Sequence, residues 1–287
     1  MTTLTSSRLE RASAWRQDAA ARVSRGDLVA VVVAGLVTLL ALVAPLVAPH
    51  GSTDRVGAPF LAPGSPGFLL GTDELGRDLL SRLLVGVQST WLSALVVVAV
   101  GMVVGGLVGL VAGAVGGVVD TVLMRVTDLF LSLPGPILAI AVVAALGPSL
   151  PHTLVAVSIV WWPLYARIAR GEVRALAARP HLEAAKVSGV GRVALARRHL
   201  LPGAVPPLVV AASLDVGLLV MTLAGLSFLG LGAPAPAAEL GAMTARGFTY
   251  LLEYWWIPVL PGLAVAFLAL VANVAGDGIR DLMGDRS

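Results

Sequence analysis

The 287-residue sequence contains no cysteine and one lysine, and only 13% of its residues are charged. Without cysteine, the chain can form neither disulfide bonds nor thiolate metal sites. The lysine, Lys186, follows Ala185, so the sequence lacks the GxxxxGK motif that cradles nucleotide phosphates in a P-loop. No Ser-His-Asp arrangement typical of a hydrolase stands out either. We therefore expect that the chain is not an enzyme.

Apolar residues, in contrast, make up 57% of the chain, and the mean hydropathy is +0.90. These values indicate a polytopic membrane protein. About 20 apolar residues in a helix cross the hydrocarbon layer of a bilayer. The continuous apolar runs therefore predict an all-α membrane protein with six transmembrane helices, at residues 28–48, 90–113, 121–147, 151–167, 203–224 and 257–275.

The distribution of basic residues predicts the orientation of these spans, because Lys and Arg accumulate on the cytoplasmic side of a membrane. With a cytoplasmic N-terminus, 16 of the 20 Lys and Arg residues lie inside. We therefore expect a cytoplasmic N-terminal segment at 1–27, a membrane domain at 28–287 and both termini in the cytoplasm. Topology explains the excess of positive charge, and no aromatic-interleaved basic surface indicates nucleic-acid binding.

The four histidines are scattered without the spacing of metal ligands. His50 and His152 are expected at the outer ends of spans, where they could contact a metal substrate. Ordinary loop or interface positions are the simpler interpretation. The sequence therefore predicts no metal site.

Glycine recurs every fourth residue in the second predicted span, at Gly101, Gly105, Gly109, Gly113 and Gly117. Such a stripe of small residues lets two helix backbones approach closely within lipid. We expect packing inside one bundle, with a subunit interface as the alternative.

Three residues are candidates for lining a translocation pathway. Asp215 lies about eleven residues into the fifth span, where an ionisable side chain must face water or a partner. The alternatives are a protonated carboxyl group or a pairing needed only for assembly. Asp128 is also a candidate, although pairing with Arg125 three residues earlier is the favoured interpretation. Pro134 predicts a kink beside the conduit.

Residues 168–202 form a basic segment that cannot cross a membrane and is expected in the cytosol. The sequence predicts one helix at 183–188, a turn at Gly189 and Gly191, and a second helix at 192–200. The small side chains of Ala184 and Ala185 would let the first helix lie in a groove of another protein. A solvated basic loop is equally compatible with the composition.

This segment resembles the cytoplasmic EAA loop of ABC importer permeases, in which EAA is followed by a spaced glycine and by LP. The matching residues are Glu183, Ala184, Ala185, Gly189, His199, Leu201 and Pro202, with His199 at a position where the family pattern has isoleucine. Other stretches, from residue 25 to 285, are similar to the C-type permeases of dipeptide, oligopeptide and nickel importers. They are GTDELGRDLLSRLL, VDTVLMRVTD, WWPLYARIARGEV, LSFLGLGAPAP and GDGIRD.

The resemblance implies a type I ABC importer permease fold in the cytoplasmic (inner) membrane, with residues 168–202 as the EAA loop. It implies a homologous second permease, an extracytoplasmic substrate-binding protein, and two cytoplasmic ATPase subunits that bind ATP and Mg and grip the EAA loops. No cofactor is then expected in this chain. A peptide is the expected cargo, and nickel or another small solute is the alternative.

The sequence departs from its relatives at two places. Many relatives have glutamate where this chain has Leu223, and their PEWG motif is replaced by residues 238–241. An ion-driven secondary transporter that uses Asp215 and Asp128 is a rival interpretation, but the inverted repeats common in such folds are not evident. A membrane scaffold without transport is a third.

Overall fold

The computed structural model describes residues 25–284, so most of the predicted segment 1–27 lies outside the described residues. Between 25 and 284 the chain is helical, and its β-pairing is limited to isolated bridges. In chain order the helices are α1 (Arg25–Val47), α2 (Leu79–Val115), α3 (Gly117–Ser132), α4 (Gly135–Leu146), α5 (Leu150–Ala177), α6 (Pro180–Val187), α7 (Arg192–Leu195), α8 (Leu201–Phe228), α9 (Leu240–Gly247) and α10 (Trp256–Gly284).

Four helical stretches in the described range are long and apolar enough to cross a membrane: Gly26–Val47, Leu79–Val115, Val193–Phe228 and Trp256–Met283. The bent pair α3 and α4 makes a fifth if it counts as one span. The predicted span at 151–167 is helical and lies within α5, but α5 is not among these five. Its second half carries Arg167, Arg170, Glu172 and Arg174.

The third predicted span is two helices rather than one kinked helix. Helix α3 ends at Ser132, α4 begins at Gly135, and the two axes differ by 88°. Pro134 is the N-cap residue of α4, and Pro136 lies in its first turn. The N–H groups of a first turn have no partner within the helix, so a proline there costs no hydrogen bond. The two prolines therefore mark the break, because both lie at the start of α4, where a proline ring is tolerated best.

Four glycines of α2 lie directly against α5. A Cβ atom at Gly105 would come within 2.8 Å of Tyr165 Cβ, and one at Gly109 within 2.6 Å of Ala169 Cβ. Gly101 and Gly113 face the side chains of Tyr165 and Val173 in the same way. The prediction of packing within one bundle is confirmed for these four positions.

Gly117 was expected to continue the stripe, and this expectation is wrong. It is the first residue of α3, has φ +57, and has open space where a Cβ would be. The chain turns at Gly116, which has φ +70, so the four-residue spacing no longer corresponds to one helix face.

The main core lies between α1, α2, α4, α5, α8 and α10 and is apolar. Its members include Ala41, Val97, Val143, Val157, Leu219 and Leu268. At its edge Trp91 Nε1 donates a hydrogen bond of 2.9 Å to Thr38 Oγ1, so the indole nitrogen of α2 is satisfied by α1.

A cap, residues 48–78, folds over the N-terminal end of α2 and contains a buried ion cluster. Asp73 Oδ2 lies 2.6 Å from Arg77 Nε and 3.3 Å from Arg82 Nε, and all three side chains are buried. Arg82 also donates a 2.6 Å hydrogen bond to the carbonyl oxygen of Ser52. Asp78 caps α2 by accepting from the backbone N–H of Ser81. The carboxylate of Asp73 therefore connects the cap to Arg82 in the first turn of α2.

We predict that Gly109→Ala destabilises the protein, whereas Gly171→Ala does not. The Cβ at position 109 would press against the backbone of α5, and such overpacking costs about 1–3 kcal/mol. Gly171 has no atom within 4 Å of its Cβ position, and alanine favours a helix over glycine by about 1 kcal/mol. Thermal unfolding in detergent measures both. Equal melting temperatures would contradict the close contact of α2 with α5.

We also predict that Asp73→Asn is far more destabilising than Asp277→Asn. Removing the charge of Asp73 leaves the buried guanidinium group of Arg82 without a carboxylate and that of Arg77 with Glu74 alone, at a cost of about 3–5 kcal/mol. Asp277 pairs with Arg280 at an exposed site, where a pair contributes less than about 1 kcal/mol. The same unfolding measurement separates the two variants, and a similar small loss in both would show that the cap is not held by its ion cluster.

Candidate functional site

The loop at residues 168–202, which resembles an EAA loop, contains two short helices separated by a tight turn. Helix α6 begins at Pro180, three residues before the predicted start, and ends at Val187. Gly189 has φ +85, in the left-handed region that glycine adopts without strain, so the predicted turn at this residue is confirmed. The first part of the loop, residues 168–177, is a continuation of α5.

The predicted second helix at 192–200 is present, with an unexpected geometry in its second half. Helix α7 covers Arg192–Leu195, and Ala196–Leu200 is a π-helical turn. The turn leads without a break into α8, with Pro202 in the first turn of that helix. The loop is therefore joined rigidly to α8.

Apolar side chains fix the loop to the rest of the molecule. Leu182 of α6 and Leu195 of α7 are buried together with Leu200, Val173 of α5 and Ala204 of α8. These anchors were not predicted, because the periodicity across such short helices is too limited to identify them from sequence. A movement of the loop would therefore displace α5 and α8.

Residues of the EAA pattern lie on the open side of the loop. Glu183, Gly189, His199, Leu201 and Pro202 are exposed. The structure does not describe the side chains of Ala184 and Ala185. The expectation that these small residues let α6 lie in a groove of another protein therefore stays a prediction. Beside the loop, a cavity of about 640 Å³ lies between the C-terminal end of α2 and the loop and is lined by Leu110, Val111, Ala114, Val115, Val190, Val193, Leu195, Ala196 and Leu200.

Ion pairs connect α3 to the second half of α5. The buried carboxylate of Asp120 accepts hydrogen bonds from Nε and Nη2 of Arg170 and, at 2.5 Å, from Nη2 of Arg174. Asp128 pairs with Arg167 at 2.7 Å. The expected pairing of Asp128 with Arg125 is wrong, because Asp128 faces α5 rather than its own helix.

The third pathway candidate, Asp215, lies near the middle of α8 and is partly exposed. Trp161 Nε1 of α5 donates a 3.3 Å hydrogen bond to Asp215 Oδ2. The hydroxyl of Tyr165, one turn further along α5, is buried and lies near the same carboxylate without a hydrogen bond of ordinary geometry. None of the arginines whose side chains the structure describes forms an ion pair with Asp215.

The three pathway candidates do not form one cluster. Asp128 pairs with Arg167, Asp215 bonds to Trp161, and Pro134 is exposed at the break between α3 and α4. Within the described range no group of three His, Asp or Glu side chains is placed to hold a metal ion. His152 Nδ1 lies 2.8 Å from the carbonyl oxygen of Gly147, in an ordinary contact at a helix start.

Sequence comparisons connect this geometry to known transport proteins. A family model described as "Binding-protein-dependent transport system inner membrane component" matches residues 105–287. The probable D,D-dipeptide transport system permease protein DdpC of Escherichia coli (strain K12) is 42% identical over 252 residues, which are 88% of this chain and 85% of that protein. The di/tripeptide transport system permease protein DppC of Pseudomonas aeruginosa (strain UCBPP-PA14) is 38% identical over 254 residues, which are 86% of this chain and 84% of that protein.

A solved structure of the MetNI methionine ABC transporter, in an inward-facing conformation, contains a chain with a similar fold. The TM-score is 0.55 at 24% identity, and the match covers 70% of this chain and 96% of that one. This likeness concerns the fold alone. The matched family model and the relatives at 38% and 42% identity show that the chain belongs to the family of binding-protein-dependent transport system inner membrane components.

Proposed function

We propose that this chain forms half of the pathway by which an ATP-driven importer carries dipeptides or oligopeptides across the cytoplasmic membrane. The observation that carries the proposal is the 42% identity, over 88% of the chain, to a protein named as a D,D-dipeptide permease. The exposed residues of the EAA pattern support it, because a coupling loop must be accessible to its partner.

The proposed topology has six spans and both termini in the cytoplasm. Helix α5 supplies the span that hydropathy does not identify: its first half is apolar, and its basic second half emerges on the side of the EAA loop. Helix α2, at 37 residues, is about 55 Å long and connects the cap on the outer side with the loop on the inner side.

The proposed assembly contains a homologous second permease, two cytoplasmic ATPase subunits and an extracytoplasmic substrate-binding protein. ATP and Mg bind to the ATPase subunits, and this chain binds neither. The family description, which names both binding-protein dependence and an inner membrane component, supports this assembly.

The proposed mechanism is alternating access driven through the EAA loop. Closure of the ATPases moves the loop, whose buried leucines displace α5 and α8. The ion pairs of Asp120 and Asp128 pass the movement from α5 to α3, and thereby to the broken span. The cavity between the two permeases then opens to the other side.

Reconstitution of the complete importer in vesicles tests the proposed function. Uptake of a labelled dipeptide should require ATP on the side of the EAA loop and the binding protein on the opposite side, and should persist when an ionophore collapses the proton gradient. Loss of uptake with the gradient would favour an ion-driven transporter. ATP-dependent uptake of Ni²⁺ in place of the dipeptide would identify a nickel importer, and failure of any ATPase to co-purify would favour a scaffold.

We predict that Gly189→Val uncouples ATP hydrolysis from uptake. A β-branched residue at φ +85 introduces about 1–3 kcal/mol of backbone strain and reshapes the turn that follows α6. Dipeptide uptake per ATP hydrolysed should fall several-fold, while membrane insertion is unchanged.

Gly191→Val is the matched control for this variant. Gly191 has no positive φ and no atom within 4 Å of its Cβ position. It should therefore retain coupling close to that of the unmodified importer. Equal coupling ratios for the two valine variants would contradict the role assigned to the turn.

A further inference from the structure

The polar cluster of Asp215, Trp161 and Tyr165 has a chemistry that importer membership does not explain. We propose that it is a subsite for the protonated α-amino group of a peptide as the peptide crosses the membrane. The inference rests on the proposed function, because it requires a peptide in the pathway between two permeases.

The position of Asp215 restricts what its carboxylate can face. It lies near the middle of a candidate span, where contact of a charged group with lipid is strongly unfavourable. Its neighbours Val216 and Gly217 are buried, whereas Asp215 is partly exposed at the surface of the isolated chain. That surface must therefore be covered by water, cargo or another subunit when the protein is in a membrane.

The partners of Asp215 leave its charge uncompensated. An ionised carboxylate accepts about four hydrogen bonds, and Trp161 Nε1 supplies one, at 3.3 Å. The donor is neutral, and none of the arginines whose side chains the structure describes forms an ion pair with Asp215. Asp73 and Asp120, in contrast, each contact two arginines. Glu239, which is buried and likewise has no ion pair, accepts hydrogen bonds from two backbone N–H groups, those of Gly241 and Ala242.

The partly exposed indole of Trp161 favours an organic ammonium group as the missing cation, because aromatic rings attract ammonium groups through their faces. The hydroxyl of Tyr165 is buried beside the same carboxylate and adds a second polar group to the cluster.

A metal ion fits the same cluster poorly. Divalent cations bind several oxygen or nitrogen ligands at once. Asp215 contributes one carboxylate, and within 25–284 no trio of His, Asp or Glu is placed around any metal site. An ammonium group, with three donors around one charge, requires only the carboxylate and the ring face of Trp161.

Photolabelling of the complete complex without its binding protein tests the subsite. The probe is a dipeptide that carries a diazirine side chain and a free amino terminus, and labelled segments are mapped by mass spectrometry. Labelling of α5 and α8 should be about tenfold weaker in Asp215→Asn, the factor that one charge-assisted hydrogen bond supplies. Asp215→Glu should retain labelling because it keeps the carboxylate, and the N-acetylated probe should label the unmodified complex only weakly.

Ser213→Ala is the matched control, because Ser213 is a partly buried polar residue two positions away that bonds only to the carbonyl oxygen of Val210. It should label like the unmodified complex. Equal labelling by the free and acetylated probes, or in Asp215→Asn and the unmodified complex, would overturn the subsite. So would loss of the second permease from Asp215→Asn on size-exclusion chromatography, since Asp215 would then pair with that subunit.

Dipeptide uptake by the unmodified importer separates this inference from the proposed function. If the unmodified importer takes up dipeptide but labelling is independent of Asp215, only the subsite is wrong. If it takes up none, the proposed function fails and the subsite with it.

Discussion

The close contact between α2 and α5 determines the positions of the functional groups. Lipid provides no hydrophobic force that drives apolar helices together, so their association depends on contact distance. Glycines of α2 let the backbone of α5 approach to a distance that no side chain would permit. Helix α5 also makes three other contacts. Its Trp161 bonds to Asp215, and its arginines pair with α3. Its Val173 packs against the buried leucines of the EAA loop. A shift of α5 would therefore move the polar cluster, the broken span and the loop together.

This arrangement explains why the loop has no independent fold. Helices α6 and α7 are too short to be stable in water by themselves, because helix nucleation is costly. Leu182 and Leu195 stabilise them by burial against α5 and α8, and the π-helical turn continues into α8 without a flexible joint. A force applied to the exposed residues Glu183 or Gly189 is thus transmitted to two long helices rather than absorbed by the loop.

The apolar runs were sufficient to locate the long helices, because span length and hydropathy are properties of the local sequence, but they did not predict the 88° break between α3 and α4. The turn at Gly189 and the inward-facing glycines of α2 were likewise predictable, since each depends on one residue type with a specific steric property. Interactions between distant residues were not predictable. Asp128 was assigned to Arg125 three residues away, yet its partner is Arg167, because the bend at Gly116 turns α3 towards α5. The sequence spacing of two charges does not determine which helix each will face.

The carboxylates of the chain differ in how their charge is compensated. Burial of an ionised group is tolerated where its partners are already in place, as for Asp73 in the cap and Asp120 beside α5. Asp215 instead has a neutral indole donor, with the buried hydroxyl of Tyr165 beside it. Because a permanent cationic partner would remove the affinity for a passing one, a carboxylate that must bind and release a cationic group has to be stabilised only in part. The amino-group subsite proposed at Asp215 would meet this requirement, because its hydrogen-bond donor is a neutral indole.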